Sequence, residues 1–204
     1  MDNKKVKGYA YGVIASVSYG LNPLFALPLY ASGIRVDSVL FYRYVFALLF
    51  LAVMMKMSGQ SFALKRNEIL PVAVMGLLFS FSSLFLFQSF NYMDAGIAST
   101  ILFMYPVLVA VIMAVFFKER LSVVKIASIA TAFVGISMLY KGEGGATLSM
   151  TGVCLVLMSS LTYALYIVGV NRSSLKEMPG LKLTFYAILF GSLVYIVRLR
   201  GGMD

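Results

Sequence analysis

A chain of 204 residues in which 61% are hydrophobic and only 12% charged is too apolar for a soluble globular domain, where charged residues supply about a quarter. Its net charge of +9, Lys+Arg 17 against Asp+Glu 8, comes from basic residues that punctuate apolar runs, so it marks loops and not a nucleic-acid surface. With no histidine and one cysteine, Cys154, disulfides, CxxC redox motifs, most zinc and haem sites and nucleophile–histidine catalysis are excluded, and no metal or cofactor is expected.

A helix that crosses the hydrocarbon core takes about 20 mainly apolar residues. The first such run, 8–30, follows Lys4, Lys5 and Lys7 and is far too long for a signal-peptide core, so it reads as an uncleaved span. It holds Tyr19-Gly20-Leu21-Asn22-Pro23, and Pro23 cannot donate to the Tyr19 carbonyl, which predicts a break in mid-helix. The second span, 37–57, carries Tyr42 and Arg43, the latter roughly 9 Å of helix rise from Asp37. Arg43 reads equally well as a snorkelling anchor paired with Asp37 or Asp94 and as a cavity guanidinium that grips an anionic group. The third, 69–90, carries a polar stripe of Ser80 and Gln88, two turns apart, with Ser83 and Asn91 as further polar residues, and Pro71 reads as a first-turn proline.

The fourth span, 95–117, has Tyr105 beside Pro106, and Pro106 frees the Leu102 carbonyl. In lipid such an oxygen needs protein or water as its partner, so Pro23 and Pro106 mark helix breaks that line a cavity or gate it. The remaining spans are 122–140, 151–171 with Tyr163, Tyr166 and Asn171, and 182–199, seven in all. Runs apolar on every face, such as Val107–Phe117, exclude a lipid-facing β-barrel and give an all-α polytopic bundle. Stripes of small residues at Gly8, Gly12, Ser16 and Gly20 and at Ala127, Thr131 and Gly135 suit close helix packing.

With the N-terminus cytoplasmic, twelve basic residues lie inside (Lys4, Lys5, Lys7, Lys56, Lys65, Arg66, Lys118, Arg120, Lys125, Arg172, Lys176, Lys182) and four outside (Arg35, Lys141, Arg198, Arg200). The positive-inside rule therefore predicts an N-in chain whose C-terminus is outside. Nine positions recur at a constant offset of 144 residues: Gly8, Ser16, Tyr19, Leu21, Phe41, Tyr42, Phe46, Leu49 and Val53 match Gly152, Ser160, Tyr163, Leu165, Phe185, Tyr186, Phe190, Leu193 and Val197. Five spans separate the copies, so the second is upside down, an inverted repeat of the kind common in secondary transporters.

The stretch Gly96–Ser122, with its central Pro106-Val107 and the charged turn Lys118-Glu119-Arg120, resembles the fourth helix and following loop of EamA-type transporters in the drug/metabolite transporter superfamily. Arg43-Tyr44 before an Ala/Leu run is similar to that family's second-helix pattern, and Tyr19-Gly20-Leu21-Asn22 to its first-helix aromatic-Gly-x-Asn pattern, with Tyr19 where Trp is common. The resemblance implies a ten-helix carrier: residues 8–140 as a complete five-helix repeat, and 151–199 as the first two helices of an inverted second one, with three helices beyond Asp204. It implies an inner-membrane protein that moves small polar metabolites, such as amino acids, by alternating access. Its expected partners are the lipid bilayer, a small-molecule substrate and either a second copy or the missing C-terminal helices. The alternative is a transport-inactive fragment or membrane subunit that packs against a partner. An enzyme is not expected.

Substrate-cavity candidates are thus Tyr19, Asn22, Tyr42, Arg43, Ser80, Gln88, Tyr105, Tyr163 and Tyr166, side chains that pair a polar tip with an apolar body or place a polar group within a span. Carboxylates lie at span ends, Asp37 and Asp94 outside and Glu119 inside, which argues against the embedded-glutamate proton exchange of small multidrug resistance proteins.

Overall fold

The computed structural model describes residues 3–119 and 149–200, with positions 127, 130, 131 and 134 between them. The expected fifth span, 122–140, otherwise lies outside the described residues, as does Gly135 of the second small-residue stripe. Two compact units form, Met1–Arg35 and Val36–Asp204.

In the first unit the expected span is divided into α1 (Asn3–Gly20) and α2 (Asn22–Ala31), with Pro23 in the first turn of α2 and the chain joined through Leu21, whose amide bonds the Val17 carbonyl at 3.1 Å. The helix ends at Ser32-Gly33. Gly33, at φ +83, turns the chain left-handed so that its amide reaches Tyr30 O at 2.9 Å and that of Ile34 reaches Leu29 O at 3.0 Å, a Schellman closure.

In the second unit α3 (Val36–Met57) ends in the same way, with Gly59 at φ +63 and the amides of Gly59 and Gln60 bonded to Lys56 O and Met55 O. Helix α4 (Arg66–Ser89) follows, opened by the Glu68 carboxylate accepting the Lys65 amide at 3.1 Å. Pro71 is the sixth residue of α4, not a first-turn proline, so it removes the amide that would bond Asn67 O; the Ser174 hydroxyl lies 3.4 Å from that oxygen. The fourth expected span is divided at Phe103-Met104 into α5 (Ala95–Leu102) and α6 (Tyr105–Phe117). Then come α7 (Met150–Arg172), a single 3-10 turn at Ser174–Glu177, and α8 (Gly180–Arg200). Six helical stretches among the described residues are long and apolar enough to cross a membrane: Gly8–Ala31, Val36–Met57, Arg66–Ser89, Ala95–Phe117, Met150–Arg172 and Gly180–Arg200.

Helix α4 is the centre of the second unit, packed between α7 on one side and α8 on the other; α3 lies on α8, and α5 and α6 lie on α7. The two latest helices are therefore interleaved among the earlier ones. The crossing of α4 and α8 is closest at Gly76 and Gly191: a Cβ on Gly76 would sit 2.6 Å from Ala187 O, and one on Gly191 2.8 Å from Gly76 O. Small residues permit that approach, and dispersion between the backbones rewards it in lipid, where burial supplies no hydrophobic gain. On the other side, the Ser82 and Ser159 hydroxyls are 3.1 Å apart, and Ser159 also donates to Ser82 O at 2.7 Å.

Ionic ties hold the ends. Arg198, near the end of α8, grips Asp37 in the first turn of α3 with both carboxylate oxygens engaged, Nε–Oδ1 2.6 Å and the second nitrogen to Oδ2 3.2 Å. Asp37, one of the two carboxylates that the anchor reading offers to Arg43, is buried and gripped by Arg198. At the opposite end Arg172 pairs with Glu119 and lies over the Phe117 ring, while Lys182 and Tyr186 donate to Ala63 O and Phe62 O. Arg198→Leu is expected to destabilise the protein by about 2–3 kcal/mol in detergent unfolding, because it strands a buried carboxylate, and Asp37→Asn in that background should recover more than half of the loss. Equal instability of the single and double variants would deny the pair this role.

Candidate functional site

Mid-span residues from α3, α4, α6, α7 and α8 meet in one aromatic and hydroxyl cluster. Tyr44 lies about 12 Å of helix rise into α3 and is buried; its ring meets Tyr195 edge-on at 4.8 Å and Phe79 at 6.4 Å. The Tyr44 hydroxyl accepts from the Ser80 hydroxyl and donates to that of Ser83, both at 3.2 Å, and the Tyr195 hydroxyl donates to Ser80 O at 2.9 Å. Phe79 continues the cluster to Tyr166 at 5.4 Å and Tyr163 at 6.3 Å, the latter two stacked at 5.9 Å. Tyr105, the first residue after the break between α5 and α6, closes it edge-on against Tyr163 at 4.8 Å. Tyr44 and Tyr195 are sealed, whereas Tyr105, Tyr163 and Tyr166 are half-buried, so the cluster has one closed side and one accessible side.

Four of the sequence candidates, Ser80, Tyr105, Tyr163 and Tyr166, are thus brought together. Tyr42 is not: at 60% exposed it points away from Tyr44, two residues on and about 200° round the helix. Arg43 is exposed, with its guanidinium 5.1 Å from the Phe87 ring, and Gln88 is half-buried outside the cluster. Tyr19, Asn22 and Pro23 belong to the first unit, Tyr19 in the last turn of α1, Asn22 and Pro23 opening α2. Pro106 is exposed at the second position of α6, and the carbonyl it leaves, Leu102 O, accepts from the Ser160 hydroxyl at 3.2 Å. Asp94 has a structural task, since its Oδ1 caps α5 by accepting from the Gly96 and Ile97 amides at 2.8 and 3.1 Å.

Sequence reasoning misses Tyr44, Tyr195 and Ser160 as members of the site. Tyr44 enters it only beside Arg43, and the available signal is period: Leu40 and Tyr44 recur at i+4 on the buried face of α3. Ser160 stands in the 144-residue repeat without a task.

The six apolar stretches make this a helical, multi-pass membrane protein, with a proline-broken span set against a tyrosine cluster. Residues 6–141 match the EamA-like transporter family, and the chain belongs to that family, within the drug/metabolite transporter superfamily. It is similar to the uncharacterized transporter YxxF of Bacillus subtilis (strain 168), 29% identical over 131 residues, which are 62% of this chain and 42% of that protein. An uncharacterized transporter of Archaeoglobus fulgidus is 28% identical over 102 residues, 50% of this chain and 36% of its own. The uncharacterized transporter YvbV of Bacillus subtilis is 27% identical over 131 residues, 61% and 43% of the two chains. The matches thus span about two-fifths of the relatives' length. No solved structure matches the chain significantly.

Tyr44→Phe is expected to cost about 1–2 kcal/mol, because the ring packing survives while the buried Ser80 hydroxyl loses its acceptor, and Tyr42→Phe less than about 0.5 kcal/mol. Thermal unfolding in detergent measures both; equal effects would place the two tyrosines in equivalent surroundings.

Proposed function

We propose that the protein is a carrier of small polar metabolites, amino acids or similar, that works by alternating access across the inner membrane, with the tyrosine cluster as one wall of its cavity. The observation that carries this reading is Tyr105: it is both the first residue beyond the helix break and a ring of the cluster, so any swing of α6 moves a cavity wall. Tyrosine hydroxyls and rings bind a polar group beside an apolar body, and the cluster itself holds no charged side chain, which suits substrates of little net charge. Arg43, over Phe87, serves in this reading as an anchor at the rim.

The orientation that accords with these ties is N-in and C-out. Asp37 and Arg198 then share the outer end, and Glu119, Arg172 and Lys182 the inner end, where the basic residues concentrate. The inverted repeat finds support in the helix starts, since α3 begins at Val36 and α8 at Gly180, 144 residues on. The repeat domains of this reading are 8–140 and 151–199. A second reading, a transport-inactive part or a membrane subunit completed by further helices or a second copy, is favoured by the coverage of about two-fifths of each relative.

Purified protein in proteoliposomes, assayed with a labelled amino-acid mixture against empty vesicles, separates the two: saturable uptake is expected from a carrier, none from an inactive part. In active vesicles Pro106→Ala should slow exchange about tenfold while half-saturation stays within about twofold, because a restored amide stiffens the moving helix. A change in half-saturation alone would remove Pro106 from gating.

A further inference from the structure

Leu102 O is buried, and its ordinary helical donor would be the amide of residue 106, which proline lacks. The Ser160 hydroxyl, fully buried in α7, lies 3.2 Å from that oxygen and 3.0 Å from Val156 O, one turn back in its own helix. A hydroxyl has one proton to give. Val156 O already receives the Ser160 amide within the continuous helix α7, so its share of the hydroxyl is surplus, whereas Leu102 O depends on a donor from outside its own helix.

Two neighbours on α7 reinforce the contact in parallel order. A Cβ at Gly152 would meet Met93 Sδ at 2.8 Å, just before α5, and Tyr163 meets Tyr105, at the start of α6. Gly152, Ser160 and Tyr163 therefore engage, in sequence, the approach, the end of the first half and the start of the second half of the broken span. These three are also members of the 144-residue repeat, as Gly8, Ser16 and Tyr19 in the first span. Ser174 answers the amide missing at Pro71 of the continuous helix α4 in a related way, by its approach to Asn67 O.

We propose that Ser160 is the positioning residue of the hinge between α5 and α6: its hydroxyl stands in for the missing amide of Pro106, and its second acceptor on α7 lets it release Leu102 O during movement without losing its own bond. The movement rests on the carrier reading; the hydrogen bond does not. The bond fixes where α6 begins, and so where Tyr105 meets Tyr163. Release costs little on the serine side, because Val156 O is within reach at 3.0 Å.

The test is a double-mutant cycle on the full chain, read by thermal unfolding in detergent and by exchange in proteoliposomes. Ser160→Ala is expected to lower the unfolding midpoint by about 3–6 °C when Pro106 is present, and by less than about 1 °C in the Pro106→Ala background, where the substituted alanine supplies the amide. Equal losses in both backgrounds would show a packing role and overturn the proposal. In the vesicles Ser160→Ala should change the exchange rate about fivefold or more with half-saturation within about twofold; a shift in half-saturation with the rate unchanged would equally overturn the hinge role. Absence of flux from the unaltered protein would sink the carrier reading and with it the movement, while the cycle would still decide whether Ser160 replaces the proline amide.

Discussion

Hydrocarbon offers a backbone carbonyl no water, so each one must find a donor in the protein. Pro106 withholds one such donor in the middle of a span, and the Ser160 hydroxyl of α7 answers the oxygen left behind. The Ser160 hydroxyl reaches Leu102 O where α7 packs against the broken span, and Gly152, one of the contacts there, leaves room for the Met93 side chain. The same apposition sets Tyr105 edge-on to Tyr163, and through Phe79 links that pair to Tyr44 and Tyr195. The aromatic cluster is thus tied directly to the helix break.

The rest of the unit meets the same constraint with small polar groups. Ser80, Ser82 and Ser159 are buried, yet each finds an oxygen on a neighbouring helix. Interhelical hydrogen bonds of this kind are worth about 0.6 kcal/mol on average in membranes, so no single one holds the fold. Their effect is directional: they fix the register of α4 between α7 and α8, while Gly76 and Gly191 set the separation at the α4–α8 crossing. Charged groups remain at the ends, where Asp37 with Arg198 and Glu119 with Arg172 tie helices that are distant in sequence.

What the sequence discloses follows from the range of each interaction. Spans are local runs of apolar residues, and 37–57, 95–117 and 151–171 fall within a residue of the helical stretches Val36–Met57, Ala95–Phe117 and Met150–Arg172. Proline acts within one turn, so the breaks at Pro23 and Pro106 are legible, whereas Pro71 is misjudged once the start of α4 is placed at 69 and not at Arg66. Faces are harder. Tyr42 draws notice as a polar-tipped aromatic within its span, yet in α3 it is Tyr44 that turns inward, since that helix is not polar enough on one side to declare its orientation. The Asp37–Arg198 pair joins residues on two separate spans, and no local pattern announces which of Arg43 and Arg198 a buried aspartate will choose.

In the proposed movement the link at Phe103-Met104 is a working hinge held by a borrowed hydrogen bond. Thr100 and Val115 are exposed on either side of it and stand about 22 Å apart along a straight helix, within reach of spin-label distance measurement. Labels at these two positions, with Cys154 replaced by serine, should give a broad or two-peaked distance distribution in bilayers that narrows to a single peak when Pro106→Ala is added. One narrow peak at the same distance in both proteins would contradict the account.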